Sequence, residues 1–353
     1  MNCCSECFNS TYIKAIINSY KTKGNCDFCK SVDTYIYSPR ELCINFSSFL
    51  EHYEVDRENG KPIIEQLKID FPDLIFSSKI NNEDLTTLLK SILDEDIESY
   101  TPLFEENISL KIKKDNSHYE TIENLNNRWE EFSNEIKKIN RFHIQNTIDL
   151  EKIKEIFSQE ELHKSIPKGR VFFRGRISDE NGFTPDLMNL PPPQKATAGR
   201  ANPVGIPYLY IADQIKTTLY ETRASLNDFV TIAEFQVIEE LKILNLNNIE
   251  EYYDPIKASE SESLTNFLIY LPFINKLKTE LSKPNRRNDK ELDYLPTQYL
   301  AEYIKYLGFD GVEYKSSLYS KGFNFAIFNG EKLNCNKVYV KEITDLDYKY
   351  SPL

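Results

Sequence analysis

Four cysteines near the start of the chain have the spacing of a metal site. Cys4-x2-Cys7 and Cys26-x2-Cys29 are separated by 18 residues, inside the C-x2-C-x15–20-C-x2-C window of a four-thiolate zinc centre. A two-residue spacer lets both sulfurs of a pair turn toward one point, and two such knuckles supply the soft tetrahedral shell that Zn²⁺ accepts. Four protein ligands leave no open position for water, so the expected metal is a structural zinc on Cys4, Cys7, Cys26 and Cys29. Gly24-Asn25 is the turn that brings in the second knuckle. Cys3-x3-Cys7 also lets two sulfurs meet, and the sequence leaves the choice between Cys3 and Cys4 open.

Three segments of the second half carry residue types suited to binding anions and sugars. Phe172-Phe173-Arg174-Gly175-Arg176 turns from aromatic to basic, and an arginine fork at a strand end is a natural clamp for phosphate or carboxylate. Gly199-Arg200-Ala201-Asn202-Pro203-Val204-Gly205 leads on to Tyr210, with Glu221 eleven residues later. A strand would deliver the ring, and the helix after it the carboxylate, to the same edge. Gly311-Val312-Glu313-Tyr314-Lys315-Ser316-Ser317, with Asn324 following, offers hydroxyls that can bond a ligand amide or ribose. Taken singly, each has a plain structural reading: a surface arginine pair, a solvated helix glutamate, a serine that satisfies local backbone.

These residues need a frame, and the apolar periodicity supplies one. Leu85, Leu88, Leu89, Ile92, Leu93 and Ile97 recur at steps of three and four, which predicts a helix capped by Asn82 and stopped by Thr101-Pro102. A longer helix begins at Ser117, with Ile122, Leu125, Trp129, Phe132, Ile136 and Ile139 on one stripe, and a third covers 148–157. Ile166-Pro167-Lys168-Gly169 is a turn that ends the helical region. Beyond it, short strands alternate with helices. Asp213 is expected to cap a helix reaching Leu226, residues 250–295 read as a polar helical insertion with Pro284 and Arg286-Arg287, and Thr297 is expected to cap a helix that Gly308 terminates. The expected fold class is α+β. It comprises a cysteine zinc cap over 1–50, a helical domain over 51–165 and a mixed α/β domain over 166–353.

Composition narrows the function. A net charge of −12 has the wrong sign for a protein that works by neutralising nucleic-acid phosphates. The longest apolar run, Phe267 to Ile274, already contains Pro272, so no membrane span is expected. Eleven glycines in 353 residues argue against a glycine-rich phosphate cradle. The opening residues, MNCCSECFNS, lack the basic and apolar regions of a signal peptide, which places the chain in a reducing cytoplasm, where seven cysteines do not read as disulfides.

Taken in order, Arg174, Gly199-Arg200-x-Asn202-x-x-Gly205, Leu209-Tyr210-x-Ala212 with Glu221, and Gly311-x-x-Tyr314-x-Ser316 resemble the RES domain family. Its members are NAD⁺-consuming toxins with an ADP-ribosyltransferase-like fold. The resemblance implies cleavage of the bond between nicotinamide and ribose in NAD⁺, through an oxocarbenium-like state. It further implies Glu221 facing the ribose, Tyr210 holding the nicotinamide or ribose, Arg174 on a phosphate, and Ser316 positioning the nicotinamide amide or ribose. Arg200 and Arg176 would be further clamps, with Asn202 and Ser317 also on the substrate. NAD⁺ is then the substrate, and zinc the one resident cofactor. The first half is similar, more loosely, to the HEPN-type helical domain fused to longer RES proteins. None of His52, His118, His143 or His163 has the upstream arginine of an R-x4–6-H ribonuclease motif, so RNA cleavage is not assigned to it.

The implied function is an NAD⁺ glycohydrolase serving as a toxin or an anti-phage defence effector. ADP-ribosyl transfer to a macromolecule breaks the same bond and is the alternative; an inactive zinc-containing sensing protein is the third reading. An NAD⁺ hydrolase poisons its own cell, so a restraint is expected, supplied by an antitoxin or other regulatory partner, or by the helical first half. Homo-oligomerisation is left open. Neither a membrane nor nucleic acid is an expected partner.

Overall fold

The computed structural model describes all residues except 95, 114–115, 146–147, 248–252, 261–262, 284–290 and 347–353. Pro284 and Arg286-Arg287 of the expected insertion lie outside the described residues. In chain order the first elements are β1 (Cys3–Cys4), α1 (Thr11–Ser19), β2 (Lys23–Gly24), β3 (Thr34–Tyr37), α2 (Cys43–Leu50), β4 (Tyr53–Val55), α3 (Ile63–Asp70), α4 (Asn82–Ile92), α5 (Ile97–Glu105) and β5 (Ile108–Leu110). Next come α6 (Asn116–Lys138), α7 (Leu150–Phe157), β6 (His163–Ile166), β7 (Val171–Ser178), α8 (Pro185–Met188), β8 (Leu209–Ala212), α9 (Ile215–Thr222), β9 (Phe229–Val237) and β10 (Leu241–Asn245). The last are α10 (Pro255–Ser259), α11 (Ser263–Ser282), α12 (Leu295–Tyr306), β11 (Gly311–Lys315), β12 (Phe323–Ile327) and β13 (Leu333–Glu342). The α+β class expected from the sequence is the class observed. Among the described residues no helix is long and apolar enough to cross a membrane.

By packing, the chain divides into two compact units, 1–124 with 250–272, and 125–249 with 273–353. The sequence boundary at 165/166 therefore falls inside the second unit. The reason is local: β6 is already an edge strand of that unit's sheet, and Trp129 and Phe132 of α6 pack against Phe273 and Tyr299 at ring distances of 6.2 and 4.9 Å.

In the first unit, β1, β3 and β2 form a small sheet in that order. Beside it Phe8, Phe46 and Phe76 meet at 6.0 Å. The helix expected over 81–99 is two helices. Asn81, not Asn82, caps α4 by accepting the Asp84 N–H at 2.9 Å, and Pro102 sits within α5 rather than ending a helix. Leu85, Leu88, Leu89 and Ile92 are fully buried as the periodicity requires.

Two carboxylates join the segment after residue 252 to this unit: Glu260, which accepts the Tyr12 hydroxyl (3.0 Å) and the Asn45 amide (2.6 Å), and Asp254. Asp254 Oδ2 accepts the Ser10 hydroxyl (2.7 Å) and the Tyr12 N–H (2.9 Å) at the start of α1. Its Oδ1 accepts the Ile256 and Lys257 N–H groups at the start of α10 (3.1 and 3.3 Å). A single side chain thus satisfies free donors of two helix N-termini. The insertion expected to be polar is in fact anchored by its apolar face, since Leu264, Phe267, Phe273, Ile274, Leu277 and Leu281 of α11 are buried.

The second unit is built on an eight-stranded sheet, ordered β13-β9-β7-β8-β12-β11-β10-β6. All pairings are antiparallel except β10 with β11. Phe172, Leu209, Ile211, Phe235, Ile243, Phe325 and Ile327 form the core on one sheet face, with Met188 of α8. Their alternation along each strand leaves Phe173, Gly175, Tyr210 and Ala212 on the opposite side. Ile139, expected on the buried stripe of α6, lies beyond the helix end and is exposed.

The doubly bonded carboxylate leads to a prediction. Asp254→Ala should lower unfolding free energy by about 2–3 kcal/mol, the scale of losing a shared cap, measured by urea titration with wild type alongside. Asp254→Asn, which keeps the acceptor Oδ1, should recover part of the loss.

Candidate functional site

The cysteine cluster forms as the spacing requires. The sulfurs of Cys4, Cys7, Cys26 and Cys29 all lie within 4.8 Å of one another, with Cys4–Cys7 at 3.8 Å and Cys4–Cys29 and Cys7–Cys26 at 3.4 Å. A tetrahedron with Zn–S bonds of about 2.3 Å has S–S edges of about 3.8 Å, so this donor set fits such an ion. The choice left open by the sequence is settled by strand alternation: Cys3 precedes Cys4 on β1, and its thiol turns away to the Tyr37 carbonyl at 3.4 Å. Hydrogen bonds from Cys4 and Cys7 pull the Cys26 thiol down, while bonding to Cys26 pushes Cys4 up.

The polar residues of the second half gather where the large sheet splits. β7 and β8 pair at a single position, Phe173 opposite Ala212. Beyond it, β7 stays joined to β9 over 171–178 and β8 to β12 over 209–212. The two strands therefore part, leaving a cleft of about 380 Å³ lined by Arg174, Arg176, Arg200, Tyr210, Glu221, Tyr314, Lys315, Ser317 and Asn324. Gly175 lets α9 close over this fork, because a Cβ there would stand 3.1 Å from Thr222 Cγ2 and 3.3 Å from Thr218 Cβ.

Glu221 lies at the end of α9, a shorter helix than expected. Arg223 adopts a left-handed φ of 51° and stops it at Thr222, and Asp213, instead of capping it, accepts the Thr217 hydroxyl (2.9 Å) and the Phe323 N–H (3.1 Å). The Glu221 Oε1 accepts the Ser316 hydroxyl at 2.6 Å and the Asn324 amide at 2.7 Å. Both bonds fall on one oxygen, so the carboxylate is held by one edge at the cleft wall. Ser316 is buried and also accepts the Leu318 and Tyr319 N–H groups. Ser316, expected to contact the ligand, donates its hydroxyl hydrogen bond to Glu221.

Tyr210 and Asn202 are likewise engaged with each other. The Tyr210 hydroxyl donates to Asn202 Oδ1 (2.8 Å) and accepts the Ala201 N–H (3.0 Å), and burial raises the phenol to about 12. Asn202 is 3% exposed and its amide reaches the carbonyls of Thr197, Pro203 and Ile206. These bonds brace the loop. Gly199 is required for the close approach, since a Cβ would lie 2.6 Å from the Tyr210 hydroxyl. Thr297, expected as a helix cap, instead donates to the Arg200 carbonyl at 2.7 Å from within α12. The neighbouring Gln298 holds the carbonyls of Gly199 and Asn202.

The cleft is cationic although the chain is acidic. Burial, and then the like charge of Arg176, pulls Arg174 down to about 10, which leaves it charged at neutral pH. Arg176 donates to the Leu187 carbonyl at 2.6 Å and lies 4.4 Å from the Phe183 ring. Arg200 donates to the Leu281 carbonyl and stands 5.8 Å from the Tyr314 ring. Burial also keeps the Tyr314 phenol well up, hence protonated. The cleft thus gathers Glu221, Tyr210, Arg174, Arg176, Arg200 and Ser317, with Ser316 behind Glu221 and Asn202 beneath the loop. Asn324, Tyr314, Gly175 and Gly199 complete it without having been assigned roles from sequence. The spacing between Tyr314 and Asn324 carried the signal for two of them: it makes β11 and β12 a hairpin in which they pair.

Residues 175–351 match the RES domain, and the chain belongs to that family. Among solved structures, a chain of the M. tuberculosis MbcT-MbcA toxin-antitoxin complex is similar at 14% identity. The match covers 54% of this chain and 91% of that one, with a TM-score of 0.31. No curated protein matches.

The thiolate cluster makes a direct prediction. Elemental analysis of purified protein should find about one zinc per chain, and Cys7→Ser should lose it together with a fall in melting temperature. Full-length protein free of metal and equally stable would contradict the assignment.

Proposed function

We propose that the protein is an NAD⁺ glycohydrolase, acting as a toxin or defence effector, with the cleft between β7 and β8 as its active site. The observation that carries this reading is Glu221, fixed through one oxygen by Ser316 and Asn324 at the wall of a cleft bearing three arginines. An NAD⁺ molecule presents two phosphates to such arginines, and its reacting ribose gathers positive charge as the glycosidic bond breaks. A carboxylate beside that ribose stabilises the charge by electrostatics and by accepting ribose hydroxyls.

The chemistry balances simply. The C1′–N bond breaks with its electron pair leaving on neutral nicotinamide; a water oxygen bonds to C1′, and the water's proton passes to Glu221 or to solvent. Arg174 pairs with a phosphate, with Arg176 and Arg200 as neighbouring cations. Tyr210 works through its ring, because its hydroxyl already serves Asn202 and Ala201. The zinc we assign to Cys4, Cys7, Cys26 and Cys29 is structural, holding the two knuckles together in the other unit. The HEPN-like first half, or an antitoxin, is the restraint this reading calls for.

Purified wild type should release nicotinamide from NAD⁺, and Glu221→Gln should cut turnover by about 10²–10³-fold while keeping the fold. Equal turnover in the two proteins would contradict the reading. Labelled NAD⁺ in cell extract gives free ADP-ribose for hydrolysis and label retained on macromolecules for transfer. The positioning residue is tested separately: Asn324→Ala should lower kcat by about ten- to a hundredfold with less change in KM, and Asn324→Asp, which puts a second carboxylate against Glu221, should be worse than Ala.

A further inference from the structure

The cleft of about 380 Å³ sits near the lower end of the roughly 300–1,000 Å³ that drug-sized ligands occupy. A dinucleotide with two nucleosides needs more room. A second groove, of about 440 Å³, begins at the same wall: Lys315 and Ser317 line both, and Ser316 behind Glu221 lines the groove. Its other side is the C-terminal part of α11, with Lys278, Thr279, Ser282 and Lys283. Arg200 marks the passage, since it lines the cleft while donating to the carbonyl of Leu281, the residue before Ser282.

We propose that this groove holds the adenylate half of the dinucleotide. The inference rests on the NAD⁺ reading of the cleft and extends it to a second set of residues. The groove has the chemistry an adenylate needs. Lys315, which lines both the cleft and the groove, makes no ion pair among the described residues, so a cationic head stands where a phosphate would pass from one to the other; Lys283, farther along the groove, is paired with Glu280. Lysine stems supply apolar surface for a base. Ser282 Oγ is buried and has no hydrogen-bond partner among the described residues, an orphaned group of the kind that a ligand hydroxyl satisfies. In this arrangement the nicotinamide ribose lies at Glu221, the diphosphate passes Arg200 and Lys315, and the second ribose meets the hydroxyls of Ser317 and Ser282. α11 is packed into the second unit by Phe273, Ile274, Leu277 and Leu281, while Lys278, Thr279 and Ser282 line the groove.

AMP is the probe, because it carries the adenylate without a scissile nicotinamide bond. Titrated calorimetrically against the full chain, AMP should bind wild type and inhibit NAD⁺ cleavage competitively. The double variant Lys278→Ala/Lys283→Ala should weaken AMP about tenfold through loss of charge-assisted contacts, with an unchanged melting temperature. Thr279→Trp, which fills the groove without removing charge, should weaken it as well. AMP that does not bind wild type, or binds all three proteins alike, overturns the groove assignment. Wild type that binds AMP through these residues yet releases no nicotinamide from NAD⁺ would sink the glycohydrolase reading instead, so the two failures are distinguishable.

Discussion

The structure of the site depends on one parting of strands. β7 and β8 share a single pair, Phe173 with Ala212, and then follow different partners. Backbone groups left unpaired at such a split must be solvated or bonded elsewhere, and the parting opens the cleft. The residues of the candidate cleft lie around it. Arg174 and Arg176 come from one side of the fork and Tyr210 from the other, while α9 brings Glu221 over the top. Gly175 is the small residue that allows that crossing.

Around the fork, two hydrogen-bonded clusters divide the work. One fixes the carboxylate: Ser316 and Asn324 both donate to the same oxygen of Glu221, which costs the side chain its rotamer freedom before a ligand arrives. The other fixes the ring: Asn202, Gln298 and Thr297 tie down the loop that receives the Tyr210 hydroxyl. Preorganisation of this kind places the ordering cost in folding rather than in binding. The low glycine content fits this design. Arginines and side-chain amides hold the site where a glycine-rich loop would have used backbone N–H groups.

How much of this was legible in the sequence follows from the range of each interaction. The cysteine pairs were readable because a knuckle is a local device, and even there Cys4 was separated from Cys3 only by the alternation of β1. The ordered set from Arg174 to Ser316 identified the family, and Glu221, Tyr210 and the arginines do share one cleft. The roles of Ser316 and Asn202 were not readable: each looks like a ligand contact in sequence, but each spends its hydrogen bonds on another site residue nearly a hundred positions away or on its own loop. The amphipathic helix over 81–99 broke in two, and the polar insertion over 250–295 turned out to be packed by α11. In both cases tertiary burial and cap geometry overrode the local pattern. Asp254 makes the same point, since its two helix N-termini are 244 residues apart in sequence.

The most direct test of the account is a crystal structure of the Glu221→Gln protein with intact NAD⁺. The account predicts the nicotinamide ribose hydroxyls within hydrogen-bonding distance of the residue-221 side chain, and the diphosphate against the arginines of the fork. A dinucleotide bound elsewhere, or bound in the cleft with its reacting ribose turned away from residue 221, would contradict it.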